Sequence, residues 1–250
     1  MCTTTFWPGT DGYRLGMNRD ERRTRVHALP PELESFPEVS VVGPSEPGGG
    51  RWISLNSAGV TYFLVNWYSV PHAPVAGPMS RGAIVSELRK IGDLAAATRC
   101  FEAFSLARFL PFRAGAVFAV ERVLVEWSWD SRTLQVRHLP WAPTAWISSG
   151  ADEARAQRVR QASIERYAGR HSSAEPGFVG DLHSSHEPVA GADSICMHRE
   201  EATTVSFTEI AWKNGVGGTL SYWDGSPCLR NAMEPGVVHT VVAEEKSASN

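Results

Sequence analysis

One run of residues sets the terms for the whole fold. Val60-Thr61-Tyr62-Phe63-Leu64-Val65 is apolar on both of its alternating sets of positions, so a strand here must be covered on both faces. It closes a hairpin in which Arg51 to Asn56 and Gly59 to Trp67 flank the turn Asn56-Ser57-Ala58-Gly59. A first hairpin opens the chain: Cys2 to Trp7, a Pro-Gly-Thr-Asp-Gly turn, then Tyr13 to Asn18. Residues 27–50, rich in Pro, Glu and Gly, read as a surface excursion with one strand, Glu38 to Val42.

From Ser80 to about Leu110 the period changes. Ile84, Val85, Leu88, Ile91 and Leu94 recur at helical spacing, with Ser80 as N-cap and a break near Gly92-Asp93 giving two helices. Strands return at Gly115 to Val120, Val123 to Trp129 and Thr133 to His138. Ala151 to Ala168 reads as an amphipathic helix whose Arg155, Arg158, Arg160 and Arg166 form a solvated face. A Gly/Ser/His loop at 172–192 precedes strands at Ser194 to His198, Thr203 to Trp212 and Gly218 to Trp223. Antiparallel hairpins with helices inserted between them imply an α+β domain, and two sheets stacked between helix layers would cover every strand. We expect one domain over 1–243 and a frayed tail at 244–250.

Composition excludes several roles. Hydrophobic residues are 42% of 250, enough for a sizeable core, and the net charge of −3 leaves no basic surplus for nucleic acid. No apolar run is long enough to span a bilayer, and the start has neither the basic region nor the apolar stretch of a secretory signal. A cytoplasmic location is therefore expected. The four cysteines, Cys2, Cys100, Cys196 and Cys228, are too sparse for a disulfide framework. In a reducing compartment they serve packing or thiolate chemistry.

The amino terminus offers that chemistry. A small second residue permits removal of Met1, which would leave Cys2 with a thiol and a free α-amine. The amine titrates near ~7.7–8.0 and the thiol near ~8.5, so a proton passes between them around neutrality. The thiolate would be nucleophile and the amine its base. Asn18-Arg19-Asp20-Glu21, following the first hairpin, should sit beside the start of the chain.

The Met-Cys start, this hairpin and the Asn-Arg-Asp-Glu run, with WISLNSAGVTYFLVN further on, resemble the NRDE (transport and Golgi organisation) family over residues 1 to roughly 225. That family is similar, more distantly, to the cysteine N-terminal-nucleophile (Ntn) hydrolases that cleave bile-salt conjugates and penicillin V. The resemblance implies a four-layer αββα sandwich of two antiparallel sheets and cleavage of a linear, non-peptide C–N bond. It implies Cys2 as nucleophile, Asp20 as the group orienting its α-amine, and Asn66 as an oxyanion donor contributing roughly 3–4 kcal/mol. Two departures stand out. Met17 occupies the place of an expected Arg, so Arg19 either tunes the thiol from another angle or is structural. The second expected Asn is replaced by Ile147-Ser148-Ser149-Gly150. Arg199, in a late strand, either completes the cationic surroundings of Cys2 or lies on the surface.

Asn18, Trp67, His183, His186 and His198 are further candidates for the pocket wall. His183, His186, Cys196 and His198 have metal-ligand chemistry, but the spacings H-x-x-H and C-x-H are not those of a closed zinc site, so neither metal nor cofactor is expected. The expected partner is a small-molecule substrate, with pairing between copies left open. Two functions follow: an amidohydrolase (or thioesterase), or a carrier that holds a hydrophobic cofactor or acyl group in the same pocket.

Overall fold

The computed structural model describes residues 1–230 and 236–243, so the expected tail at 244–250 lies outside the described residues. The strands in chain order are β1 (Cys2–Pro8), β2 (Gly12–Arg22), β3 (Leu29–Ser35), β4 (Ser40–Ser45), β5 (Ile53–Asn56) and β6 (Val60–Asn66). Helices α1 (Gly82–Leu88) and α2 (Leu94–Ala103) follow, then β7 (Phe112–Phe118), β8 (Val123–Trp129), β9 (Leu134–Leu139) and β10 (Thr144–Ser148). The chain continues through α3 (Glu153–Ala168), α4 (Phe178–His183), β11 (Ala202–Lys213), β12 (Gly217–Asp224) and β13 (Val237–Val242).

These strands form two antiparallel sheets. A six-stranded sheet has the order β10-β1-β2-β11-β12-β13, and a seven-stranded sheet runs β3 to β9 in sequence. Phe6, Leu15, Met17 and Ile210 of the first meet Val42, Leu55, Phe63 and Val117 of the second in a shared core. Helices α1 and α2 cover the other face of the seven-stranded sheet, through Val85, Leu88 and Phe101 against Tyr62, Phe112 and Trp127. Helices α3 and α4 cover the other face of the six-stranded sheet, through Ile164, Val179 and Leu182 against Trp7 and Phe207. The molecule is an α+β, four-layer αββα sandwich. No helix among the described residues is long and apolar enough to cross a membrane.

The doubly apolar run behaves as expected, since β6 is buried along nearly its whole length between β5 and β7. Asn56 fixes the turn before it. Its Oδ1 accepts from Val60 N at 3.0 Å while its Nδ2 donates to the carbonyls of Arg89 and Ile91, tying the hairpin to the end of α1. The break at Gly92-Asp93 is a cap: Asp93 accepts from Ala96 N at 2.8 Å. Helix α1 starts after Arg81, not at a Ser80 cap.

Other expectations fail for identifiable reasons. The excursion at 27–50 holds two strands, because β3 with Pro30 and Pro31 is the outermost strand, where a missing N–H is tolerated. Ser194 to His198 is not a strand: beyond one bridge to Thr203, its backbone–backbone hydrogen bonds go to loops. The 172–192 loop contains α4, which lies close over β2. Gly16 makes room for it, since a Cβ there would sit 2.5 Å from Val179 and 2.6 Å from His183.

Candidate active site

Cys2 begins β1 with neighbours on both sides, opposite Ser148 on β10 and Arg19 on β2. Alternation sends its side chain toward the inter-sheet core and Thr3 to the helix side. Next to Cys2, lined by residues of both sheets, lies a cleft of about 430 Å³. Arg19 and Glu46, with Trp52, Asn66, Tyr68 and Arg81, form much of its wall. A larger cleft, about 980 Å³, lies at the far end of β1 around Trp7, Tyr13 and Trp212, away from Cys2.

The backbone nitrogen of Cys2 donates to Ser148 Oγ at 3.0 Å. Before it, Met1 extends the ladder: Asp20 N donates to Met1 O at 2.8 Å, and the Met1 amine donates to Asp20 O at 2.9 Å. Burial pushes the Cys2 thiol above its ordinary range. The Met1 ammonium and Arg19 pull it down, while Asp20 and Glu21 oppose them. Arg19 is fixed in place, with its guanidinium 4.3 Å from the Trp52 ring and 2.7 Å from Glu46 Oε1. Arg81 donates to Pro111 O at 3.0 Å and has no carboxylate partner among the described residues. Asn66 sits at the end of β6 on the cleft wall, with Nδ2 donating to Tyr68 Oη at 2.7 Å.

The carboxylate of Asp20 faces the other way. Thr204 Oγ1 donates to its Oδ1 at 2.7 Å, and Arg160 lies 3.3 Å from Oδ2. The same guanidinium donates to Thr3 Oγ1 at 2.6 Å and Ala192 O at 3.0 Å, so Asp20 shares the helix-side face with Thr3. In this geometry Asp20 touches the start of the chain through its backbone only. Arg160, expected on a solvated face, is fully buried, as is its partner. The signal was present in the sequence, since Arg160 falls on the stripe with Ala156, Ser163 and Ile164.

Several expected pocket residues lie elsewhere. Asn18 is buried beneath the sheet, donating to the carbonyls of His183 and Ile195 at 2.9 and 3.0 Å. His183 is fully buried, 2.8 Å from Thr5 Oγ1 and stacked on Phe207, and burial pulls its pKa down to about 3. Trp67 is not on the cleft wall; Tyr68 takes that place. Arg199 pairs with Glu201 and reaches the Met1 sulfur at 3.9 Å. His186 and His198 are away from the cleft and gather with Cys196 and Cys228. The sequence spacing missed this cluster because Cys228 comes from a segment beyond β12.

No protein-family model matches the chain, and no curated protein matches it. Solved structures do. Penicillin V acylase from Agrobacterium tumefaciens superposes with a TM-score of 0.47 and 11% identity, over 97% of this chain and 86% of that one. A mutant of conjugated bile acid hydrolase from Clostridium perfringens gives 0.48 and 10%, over 98% and 97%. A second variant of that hydrolase gives 0.49 and 9%, over the full length of both chains.

Proposed function

We propose that this chain is a cysteine Ntn hydrolase of the NRDE type that opens a linear, non-peptide amide, or a thioester, in a small metabolite. The observation that carries the reading is at Cys2: its nitrogen lies 3.0 Å from Ser148 Oγ, and it borders a cleft shared with Asn66 and Arg19. Once Met1 is removed, that nitrogen is the α-amine. Ser148 Oγ, an acceptor, would hold one N–H and so orient the amine beside its own thiol. Ser148 stands in the segment where a second oxyanion Asn was expected, and its role here is with the base.

The steps balance within one residue. The amine takes the thiol proton, and the sulfur forms a bond to the substrate carbonyl carbon. The C–N bond breaks as the ammonium returns the proton to the leaving nitrogen, giving an acyl-enzyme. Water, deprotonated by the same amine, then attacks the acyl carbon; the C–S bond breaks, the ammonium returns its proton to the sulfur, and the acid is released. Asn66 Nδ2, with one N–H given to Tyr68, has a second for the oxyanion. Asp20 acts as a positioning residue, anchoring β2 through Arg160 and Thr204.

The cleft wall also bears on substrate. Arg81, without a carboxylate partner among the described residues, suits a substrate half that carries an anionic group, whereas Arg19 is already paired with Glu46 and Glu21. The same charged wall disfavours a carrier of a hydrophobic cofactor, whose site would be mainly apolar.

Intact mass before and after exposure to activated thioesters and amides tests the reading. We expect Met1 to be absent and a single acyl group to appear, lost in Cys2→Ala. Retained Met1 in all of the protein, or an adduct that survives Cys2→Ala, would overturn it. Asn66→Ala should slow acylation about 10²–10³-fold, the usual cost of one oxyanion donor, while leaving the rate of simple Cys2 alkylation unchanged.

A further inference from the structure

Away from the cleft, His186, Cys196, His198 and Cys228 place one ligand atom each within 4.8 Å of one another. They come from three separate stretches: the loop after α4, the irregular segment before β11, and the 3-10 turn Pro227–Leu229. We propose that these four side chains form a tetrahedral binding site for a divalent zinc-like ion.

The distances fit such an ion. Bonds of ~2.3 Å to sulfur and ~2.0–2.1 Å to nitrogen at tetrahedral angles set N···S separations of about 3.5–3.6 Å. His198 Nε2 lies 3.5 Å from Cys196 Sγ and 3.3 Å from Cys228 Sγ. The imidazoles of His186 and His198 meet edge to face, with centroids 5.0 Å apart.

The surroundings fix which nitrogen is free to coordinate. Ser226 Oγ gives its proton to Thr204 O at 2.6 Å, and Thr203 Oγ1 gives its own to Met197 O at 3.1 Å. Thr203 Oγ1 is therefore an acceptor toward His198 Nδ1, 3.2 Å away, and that nitrogen carries the ring proton. The lone pair of His198 then sits on Nε2, facing both sulfurs. This is the orientation an outer hydrogen bond imposes on a metal-bound imidazole. His186 Nε2 is buried and has no hydrogen-bond partner among the described residues. A buried ring nitrogen without a partner is costly unless a ligand meets it.

Two thiols and two imidazoles select a soft or borderline tetrahedral ion over magnesium or calcium. Binding would form two metal–sulfur and two metal–nitrogen bonds, with both thiol protons released to solvent, leaving a neutral site. Cys196 is buried and the other three are half-buried, so the ion has a way in.

The site would act as a clasp. Cys196 N bonds Ser185 O at 3.0 Å and Ser184 Oγ bonds Pro227 O at 3.0 Å, so the ion would close a loop that already touches itself. The same segment supplies Ile195 O to Asn18 and Ala192 O to Arg160. It therefore underlies β2 where β2 borders Cys2. The inference stands apart from any chemistry at Cys2.

The test uses the full chain, expressed without a polyhistidine tag and purified under reductant without chelator. Elemental analysis should find about one zinc per chain, falling to near zero in Cys228→Ser and in His186→Ala. Stripped wild-type protein should melt at a lower temperature and recover on adding zinc. Should either variant fail to fold, cobalt(II) titration of stripped wild-type protein replaces it. Tetrahedral ligand-field bands with thiolate-to-cobalt charge transfer, saturating at one equivalent, would support the site. No zinc in the purified protein together with no such bands would overturn it, as would a Cys196–Cys228 disulfide in freshly reduced material.

Discussion

The two helical layers cover their sheets by opposite means. Under α1 and α2 the contact is almost wholly apolar, with Phe101 stacked on Trp127 at 4.5 Å and Tyr62, Phe109, Phe112 and Phe118 around them. Under α3 and α4 an apolar patch is interrupted by buried Asn18, Asp20, Arg160, His183 and Thr204. Apolar packing gains in proportion to area and tolerates repacking. A buried polar layer is stable only when each group meets its partner, so it confers placement more than stability. The polar layer is the one beneath Cys2, and the difference places orientation on one side of the molecule and bulk cohesion on the other.

The sharpest way to break this comparison is to remove one partner on each side. Asp20→Ala should cost about 3–5 kcal/mol in urea unfolding, because Arg160 is left charged and buried. Phe101→Ala should cost a similar ~3–5 kcal/mol by leaving a cavity. The second substitution separates them. Asp20→Leu combined with Arg160→Met should recover most of the lost stability yet slow acylation at Cys2, whereas adding Trp127→Ala to Phe101→Ala should deepen the loss. Recovery of both stability and acylation in the first pair would show that the polar layer has no positioning role.

A smaller effect comes from His183. Its folded pKa, about 3, lies below the ordinary 6.5, so the unfolded chain binds the extra proton first. Its contribution is complete above about pH 6.5 and declines as pH falls toward 3. Between pH 7 and 5 this amounts to about 2 kcal/mol. His183→Gln should flatten the pH dependence of unfolding across that window relative to wild type, with no matching effect for substitutions in the apolar layer. Smallest of all, Asp93→Ala should cost about 1 kcal/mol by uncapping α2, read by thermal unfolding.

What the sequence disclosed follows from locality. Cys2 and Arg19 belong to one hairpin, and Asn66 ends a strand whose burial pattern is plain, so their approach to a common cleft could be anticipated. Strand β10 is short and carries mixed residues, whereas β13, with four valines in six positions, was legible as a strand and was not read as one. Ser148 is 146 residues from the nitrogen it meets, and no spacing rule connects such a pair. Arg160 was legible by its helical stripe but was outweighed by the general rule that arginines stay wet. The Asn-Arg-Asp-Glu run lies on β2, the strand paired with β1 as its place after the first hairpin suggested, but its side chains divide between two faces: Arg19 toward the cleft, Asn18 and Asp20 beneath the sheet.

The order of strands in the six-stranded sheet has a consequence for the chain during its synthesis. Strands β1 and β2 emerge early, yet the strands that flank them, β10 and β11, are made more than a hundred residues later. Until then the first hairpin has two open edges and an uncovered apolar face, the features that invite mispairing. A ribosome paused between β2 and β11 would leave this hairpin waiting, and contacts so distant in sequence close slowly even afterwards. The surroundings of Cys2 are thus completed late in synthesis, and a truncated product lacking β11 would hold the first hairpin without one of its two flanking strands.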